Sequence, residues 1–276
     1  MQFDPRVTAA RGDIAASHLR DVIPADRYVE GEAHRIGVPL TPLRTAPDAQ
    51  ASLGSELLFG EEFIAYETSK GWSWGQATRD SYVGYVQSGA LIPAAPPPTH
   101  RVSVLRALVF PEPDLKRPVI GALALNARLQ IGREVKEFLE VERLGWVSKR
   151  HVAAMNDVAR DMVGVAEKFV GVPYLWGGRT QDGLDCSGLV QTAFEAAGRV
   201  VARDTDLIAA SLSRNADHPL QRGDLIFWRG HVGIMVDHSA LIHANAFHMA
   251  VAIEPLSDVI ARQEARDEAV TKMARP

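Results

Sequence analysis

The spacing of large apolar residues changes once along this chain of 276 residues, near position 150, and that change limits the folds open to it. Between 28 and 92 the apolar residues alternate in short runs bounded by turn residues. Leu57-Leu58-Phe59 precedes Gly60, and Phe63-Ile64-Ala65-Tyr66 precedes Lys70-Gly71. Trp72-Ser73-Trp74 and Tyr82-Val83-Gly84-Tyr85-Val86 follow. Alternation marks half-buried strands, and runs this short and close together suit a small β-barrel. Pro93-Ala94-Ala95-Pro96-Pro97-Pro98 interrupts the pattern as a stiff linker. Residues 99–150 repeat it more weakly, with strands expected over 101–110 and 125–132. Phe138-Leu139-Glu140-Val141 with Gly145-Trp146-Val147 echoes the phrase at 82–86, which predicts an internal duplication. The expected organisation is an N-terminal helical segment (1–27), two small barrels (28–92 and 99–150) and a third domain (151–276).

Beyond 151 the period lengthens. Val152, Met155, Val158, Ala159, Met162, Ala166, Phe169 and Val170 recur every three or four residues, which predicts an amphipathic helix closed by Gly171. A second helix is expected over 186–197, with Leu189, Val190, Ala193, Phe194 and Ala197 facing inward and Gly198 ending it. Four strands should follow at 225–228, 232–236, 241–244 and 250–253. A helix followed by a meander of strands is an α+β domain.

A net charge of −4 gives no global reason to expect nucleic acid or an anionic membrane as partner. Asp4, Arg6, Arg11 and Asp13 break any apolar leader near the start, so a cytoplasmic location is expected. The single cysteine excludes an intramolecular disulfide and argues against a cysteine-based zinc site. A lone thiol is either a buried small hydrophobe or a reactive group, and its surroundings decide between the two.

Those surroundings are Pro173-Tyr174-Leu175-Trp176-Gly177-Gly178, then Gly183-Leu184-Asp185-Cys186-Ser187-Gly188-Leu189-Val190. The glycines at 177, 178 and 183 permit tight turns just before the helix, so Cys186 falls in its first turn. A helix start carries partial positive charge, which favours thiolate, and its free N–H groups can receive an oxyanion. Asp185 and Ser187 as neighbours do not suit simple core filler. A thiolate still needs a base. His18, His34, His100, His151 and His218 lie in polar or terminal contexts and are set aside. His231 opens His231-Val232-Gly233-Ile234-Met235-Val236, and His243 lies within Ala240-Leu241-Ile242-His243-Ala244. A three-residue turn at Asp237-His238-Ser239 would set Gly233 opposite His243. Both histidines would then share one face of neighbouring strands, with the bare Gly233 leaving space between them. A metal site is not favoured, because His243 and His248 are five residues apart and no His-Glu-x-x-His occurs.

Tyr174-Leu175-Trp176-Gly177-Gly178, Asp185-Cys186-Ser187-Gly188, Arg222-Gly223-Asp224-Leu225-Ile226-Phe227-Trp228 and His231-Val232-Gly233-Ile234, in this order, resemble the NlpC-type papain-like cysteine peptidases over roughly 156–260. The resemblance implies Cys186 as nucleophile, His231 as base, His243 as its orienting partner and Tyr174 near the oxyanion site. The barrels loosely resemble bacterial SH3-like domains. Together with the peptidase domain they resemble a narrower group, the γ-D-glutamyl-L-diamino acid endopeptidases or dipeptidyl-peptidase VI enzymes. That likeness implies a small murein peptide with a free N-terminal L-alanine as substrate, no metal or organic cofactor, and a closed pocket where the first barrel meets the catalytic domain. Arg203-Asp204-Thr205 matches the group's phrase after the cysteine helix, so Asp204 is the candidate for the substrate ammonium, beside Thr205. Asp185 and Ser187 are placed at the substrate by the same match. From the first barrel Tyr82 and Glu56 are the candidates. Two other readings of these residues are an acyltransferase or amidase using the same cysteine, and a non-catalytic module that binds wall peptides.

Overall fold

The computed structural model describes residues 3–94, 96–216 and 219–276, so Ala95 of the proline-rich break and His218 lie outside the described residues. The chain divides into two compact units, Met1–Asn156 and Asp157–Pro276.

The first unit is built from strands. The expected helical start is instead a small sheet, Ala10–Arg11, Ile14–Ala16 and Arg27–Val29, with a 3-10 turn at Ser17–Leu19. Ile14, Ala15 and Ala16 are all fully buried, which a strand packed on both faces allows and a one-sided surface helix does not. Two strand systems follow. The first comprises β1 (Glu32–Ile36), β2 (Leu40–Arg44), β3 (Leu53–Leu58), β4 (Glu62–Ser69), β5 (Trp72–Ala77), β6 (Val83–Gln87) and β7 (Leu91–Pro93). The second comprises β8 (His100–Val102), β9 (Arg106–Phe110), β10 (Gly121–Ala124), β11 (Arg128–Leu129), β12 (Ile131–Val135), β13 (Phe138–Val141), β14 (Gly145–Ser148) and β15 (Val152–Ala154).

The expected duplication is visible as a shared strand order. The first sheet runs β3-β2-β6-β5-β4-β1-β7, and the second runs β10-β9-β14-β13-β12, with β8 and β15 paired in a separate small sheet. In each copy the last long strand, β6 or β14, passes through a 3-10 turn (Ser88–Ala90 or Lys149–His151) into the closing strand. Two core clusters form, and the second also takes in Leu58 and Phe59 at the end of β3. Ile36, Leu43, Leu57, Phe63 and Val86 pack in the first, and Val102, Val109, Leu123, Leu129 and Val147 in the second. A fully buried side chain of this kind contributes about 1.5–3 kcal/mol.

The pairing of β15 with β8 corrects the helix expected over 152–170. Edge pairing that completes the second strand system overrides the helical period at Val152, and the first unit runs on to Asn156. Only the latter half of that segment is helical, as α1 (Met162–Glu167), capped by the Asp161 side chain accepting from the Val163 amide.

The second unit continues with a short hairpin, β16 (Arg179–Thr180) and β17 (Gly183–Leu184), and two helices, α2 (Cys186–Ala196) and α3 (Thr205–Ser211). An antiparallel sheet follows: β18 (Leu225–Trp228), β19 (His231–Met235), β20 (Ala240–Asn245) and β21 (Ala250–Pro255). Then come α4 (Leu256–Glu264) and β22 (Lys272–Ala274). The sheet order is β21-β20-β19-β18-β22, and α2 packs on β19 and β20. Leu189, Val190, Ala193 and Phe194 are fully buried, as the sequence period requires.

Gly60, after β3, has φ +76°, and a Cβ there would stand 1.9 Å from the Arg128 carbonyl oxygen. Gly71 has φ +82° with nothing within 4 Å of such an atom. Gly71→Ala should therefore cost about 1 kcal/mol for the left-handed backbone alone. Gly60→Ala should cost about 3 kcal/mol, because backbone must also move. Urea unfolding of the two variants measures the difference, and equal losses would contradict the packing described.

Candidate active site

Cys186 is the first residue of α2, and the residues around it fix where that helix begins. The buried Asp185 side chain accepts five hydrogen bonds: from the Gly177 amide (2.8 Å), the Gly188 amide (2.7 Å), the Ser187 hydroxyl (3.2 Å) and both Nη atoms of Arg203 (2.9 and 2.7 Å). Arg203 also donates to Ser187 Oγ (2.9 Å) and the Gly178 carbonyl (3.3 Å). Gly188 has to be glycine, since a Cβ there would meet the Gly178 carbonyl oxygen at 2.2 Å.

Cys186 is 7% exposed, but the surroundings of its sulfur are polar. Thr205 Oγ1 lies 3.7 Å away and the Gly230 carbonyl oxygen 3.9 Å away. The amides of Val232 and Ser187 also donate toward it. Gly230 and Val232 flank His231, so the sulfur sits against the backbone of the residue expected to be its base. Burial pushes the thiol pKa up and the charge of Asp185 adds to this, while Thr205 and the two amides pull the other way. The sequence argument expects the helix start to favour thiolate, and in the structure burial is the larger effect.

The β19–β20 hairpin has the expected register. Ile234 faces Ile242, Met235 faces Leu241, and the Val236 amide donates to Ala240 O (2.8 Å) across the turn. His231 Nε2 and His243 Nδ1 are 2.8 Å apart. The space above Gly233, expected to lie open between the histidines, is filled by Leu241, whose Cδ2 would be 2.7 Å from an added Cβ. His243 and Leu241 project from the same face of β20.

A residue not singled out in the sequence completes the chain. Glu254 pairs across from Leu241 in β21, so it shares a face with His243, and its Oε1 is 2.7 Å from His243 Nε2. Both Nη atoms of Arg262 donate to Glu254 (2.9 and 2.6 Å), and His248 Nε2 lies 3.3 Å away. Burial raises the Glu254 pKa, but the hydrogen bonds from Arg262 and His243 outweigh it and hold the group at about 2. An ionised carboxylate only accepts. His243 therefore carries its proton on Nε2, its Nδ1 accepts from His231 Nε2–H, and His231 is left with an unprotonated Nδ1 as a base. Two-residue periodicity and the hairpin register could have pointed to Glu254. Arg262 lies on the next helix and left no such signal.

Tyr174 is half-buried, and its hydroxyl pKa is pushed up to about 12 by burial and by the nearby Cys186 and Asp185 charges, so it remains a donor. Asp204 is the N-cap residue of α3 but makes no side-chain capping bond to that helix. Ser187 and Thr205 are buried beside the nucleophile. The structure thus gathers Cys186, His231, His243, Tyr174, Asp185, Ser187 and Thr205, with Asp204 adjoining. Tyr82 and Glu56 are buried in the first strand system. Tyr82 packs into its apolar cluster, and Glu56 lies on β3 opposite Pro42.

A thiol at a helix start, held against a strand that offers a histidine with a fixed tautomer, defines a cysteine peptidase of the papain-like kind. Residues 171–267 match the NlpC/P60 family, and residues 43–91 match the bacterial dipeptidyl-peptidase SH3 domain. The dipeptidyl-peptidase 6 of Lysinibacillus sphaericus is 25% identical over 241 residues, covering 78% of this chain and 89% of that protein. The gamma-D-glutamyl-L-lysine dipeptidyl-peptidase of Bacillus cereus is 32% identical over 121 residues, covering 38% of this chain and 35% of that protein. A solved NlpC/P60 family protein from Bacillus cereus superposes with a TM-score of 0.76 at 21% identity, covering 88% of this chain and 99% of that one. The chain thus carries an NlpC/P60 cysteine peptidase domain and an N-terminal SH3-like domain.

Burial lowers the His231 pKa from 6.5 to about 3, with further lowering by the neighbouring His243 and Arg262 charges. Above pH 6.5 the residue is neutral in both folded and unfolded chains. Between 6.5 and 3 the unfolded chain binds a proton that the folded one does not, so stability falls as pH falls. Unfolding free energy should decline from pH 6.5 toward 5, and His231→Gln should flatten part of that slope; an unchanged slope would refute the buried neutral imidazole. Glu254→Gln frees the His243 tautomer and should lower kcat by about tenfold or more with little change in KM. Wild-type kcat in that variant would remove Glu254 from the chain.

Proposed function

We propose that the chain hydrolyses the bond between γ-D-glutamate and an L-diamino acid in murein peptides that carry a free N-terminal L-alanine. The observation that carries this reading is the Cys186–His231–His243–Glu254 chain, with Thr205 of the Arg203-Asp204-Thr205 phrase beside the sulfur. The names of the two relatives and the dipeptidyl-peptidase kind of SH3 domain support it.

His231 Nδ1 takes the thiol proton as the sulfur attacks the γ-glutamyl carbonyl carbon. The free N–H at the start of α2 and the Tyr174 hydroxyl stabilise the oxyanion. His231 then gives its proton to the departing amine, leaving a thioester on Cys186. Water, deprotonated by the same imidazole, releases L-Ala-γ-D-Glu and restores the thiol. A neutral thiol and a neutral imidazole at rest suit this sequence, because charge separates only when substrate has displaced solvent. Asp204 meets the substrate ammonium, while the Thr205 hydroxyl supplies a donor to the glutamate carboxylate; the Ser187 hydroxyl is committed to Asp185. The Asp185 oxygens are taken up by the protein's own donors, so Asp185 serves by holding Arg203, Ser187 and the helix start.

A free alanine amine exists only on peptides already released from the glycan. The requirement therefore fits recycling of cell-wall fragments in the cytoplasm rather than cutting of intact wall.

Cys186→Ala should abolish turnover with an unchanged circular dichroism spectrum. L-Ala-γ-D-Glu-diaminopimelate should be cleaved about a hundredfold or more faster than its N-acetylated form, since acetylation removes the charge that a carboxylate at the acyl side would meet. Turnover by the alanine variant would overturn the thiol mechanism, and equal cleavage of both peptides would overturn the free-amine reading.

A further inference from the structure

We infer that Lys272, on the edge strand β22, is a positioning residue for the acyl side of the reaction: its ammonium holds the far end of α3, and through that helix the Asp204 and Thr205 side chains near Cys186. The inference rests on the reading of the reaction given above and adds the element that keeps those two residues in place.

α3 is too short to hold itself. It spans Thr205–Ser211, seven residues, and a helix of that length is marginal without tertiary support. Its own side chains supply little of that support. Thr205 and Ile208 are its buried residues, and Asp204 makes no side-chain capping bond at its start. Nor can it lose one end alone. When the last of two turns unwinds, one turn remains, and a single turn fixes three residues for one hydrogen bond. Whatever holds the carbonyl end therefore also holds the first turn, where Thr205 Oγ1 is 3.7 Å from the sulfur.

The residue that holds the carbonyl end lies 63 positions beyond Ala209. Lys272 Nζ donates to the Ala209 carbonyl at 2.6 Å and to that of Leu212, the C-cap residue. Ser211 Oγ donates to the Ile208 carbonyl at 2.8 Å. The last carbonyls of a helix have no partner within it. An ammonium meets both their need for donors and the negative end of the helix dipole.

Lys272 is itself held firmly. In β22, Lys272, Met273 and Ala274 lie opposite Phe227, Ile226 and Leu225 of β18. The other edge of β22 is taken by the stretch that follows α3. The Ala216 amide donates to the Met273 carbonyl (3.0 Å), and the Arg275 amide to the Arg214 carbonyl (3.1 Å). Arg275 then holds the buried Asp224 carboxylate through Nε and Nη2, both at 2.8 Å. The strand thus grips α3 by its last turn and by the chain leaving it. Arg203, paired with Asp185, fixes the chain entering it. Arg203 sets where the helix starts, and Lys272 sets which way it runs.

The test measures kcat and KM of the full chain on L-Ala-γ-D-Glu-diaminopimelate and its N-acetylated form, in the wild type, Lys272→Met and Lys272→Arg. Loss of two hydrogen bonds from a charged donor should cut the preference for the free amine by about tenfold or more in Lys272→Met, mainly through a raised KM for the free peptide. Lys272→Arg keeps charge and donors and should retain most of the preference. General destabilisation would slow both peptides alike, so an unchanged ratio in Lys272→Met would overturn the inference. If that variant does not fold, Lys272→Gln, which keeps one donor group, should lose about threefold of the preference, and an unchanged ratio there would overturn it equally. Equal cleavage of both peptides by the wild type would overturn the free-amine reading and this inference with it, whereas a wild-type preference that persists without the ammonium overturns the inference alone.

Discussion

The buried pair between Asp185 and Arg203 holds the site together. Its two charges lie on separate stretches of chain, before α2 and before α3, and each also binds a third stretch at Gly177 and Gly178. A buried ion pair is not in itself a large net gain, because both charges lose their hydration. Here every polar atom of the Asp185 carboxylate has protein donors, so the desolvation is met in full. What the pair contributes is position. It sets the first turn of α2 against the strand hairpin, and it brings Thr205 to the sulfur from the opposite side. If Arg203 were absent, Asp185 would keep a buried charge with only neutral donors, at a cost of about 3–5 kcal/mol.

Two electrostatic effects compete at the nucleophile. A helix start favours thiolate, and burial favours the neutral thiol. Burial dominates for Cys186 and again for His231, where the imidazole is held neutral. The result is a site primed for proton transfer rather than one resting as an ion pair. Its direction is set from far behind the sulfur. Arg262 keeps Glu254 ionised, Glu254 fixes the His243 proton, and His243 fixes that of His231. Each link is a hydrogen bond whose polarity the previous one decides, so the base is chosen four residues away from the thiol it serves.

Most of this site could be read from the sequence because its elements are local. Glycines before a helix, a cysteine at its start and a histidine at each end of a hairpin with a three-residue turn all lie within short windows, and the register follows from counting. Glu254 needed one further step, across a second hairpin. Arg262 and the Asp185–Arg203 pair needed the tertiary fold, since no spacing rule links a helix start to an arginine eighteen residues on. The failed expectations have the same cause in reverse. Val152 obeys a helical period, yet pairing with β8 claims it for a strand. Ile14-Ala15-Ala16 carries no alternation because both of its faces are buried. Local period gives way wherever a sheet edge or a second packed face competes for the segment.

The site is built from elements that differ in burial. α2 is buried almost throughout, and its polar residues are tied to neighbouring segments. Thr192 donates to the Arg179 carbonyl, Gln191 to that of Val201, and Glu195 pairs with the fully buried Arg179. A helix so enclosed cannot shift without breaking several buried hydrogen bonds, which keeps the sulfur in place to a fraction of an ångström. A cleft beside His231 and His243, lined also by Arg229, Arg266 and Glu268, is different. Arg229 opens the turn between β18 and β19, and Arg266 and Glu268 follow α4, all at or near the surface. Substitutions at these three positions leave the core and the proton chain untouched. The chemistry is therefore held by buried groups, while the charges that line the neighbouring cleft lie near the surface and can change one at a time.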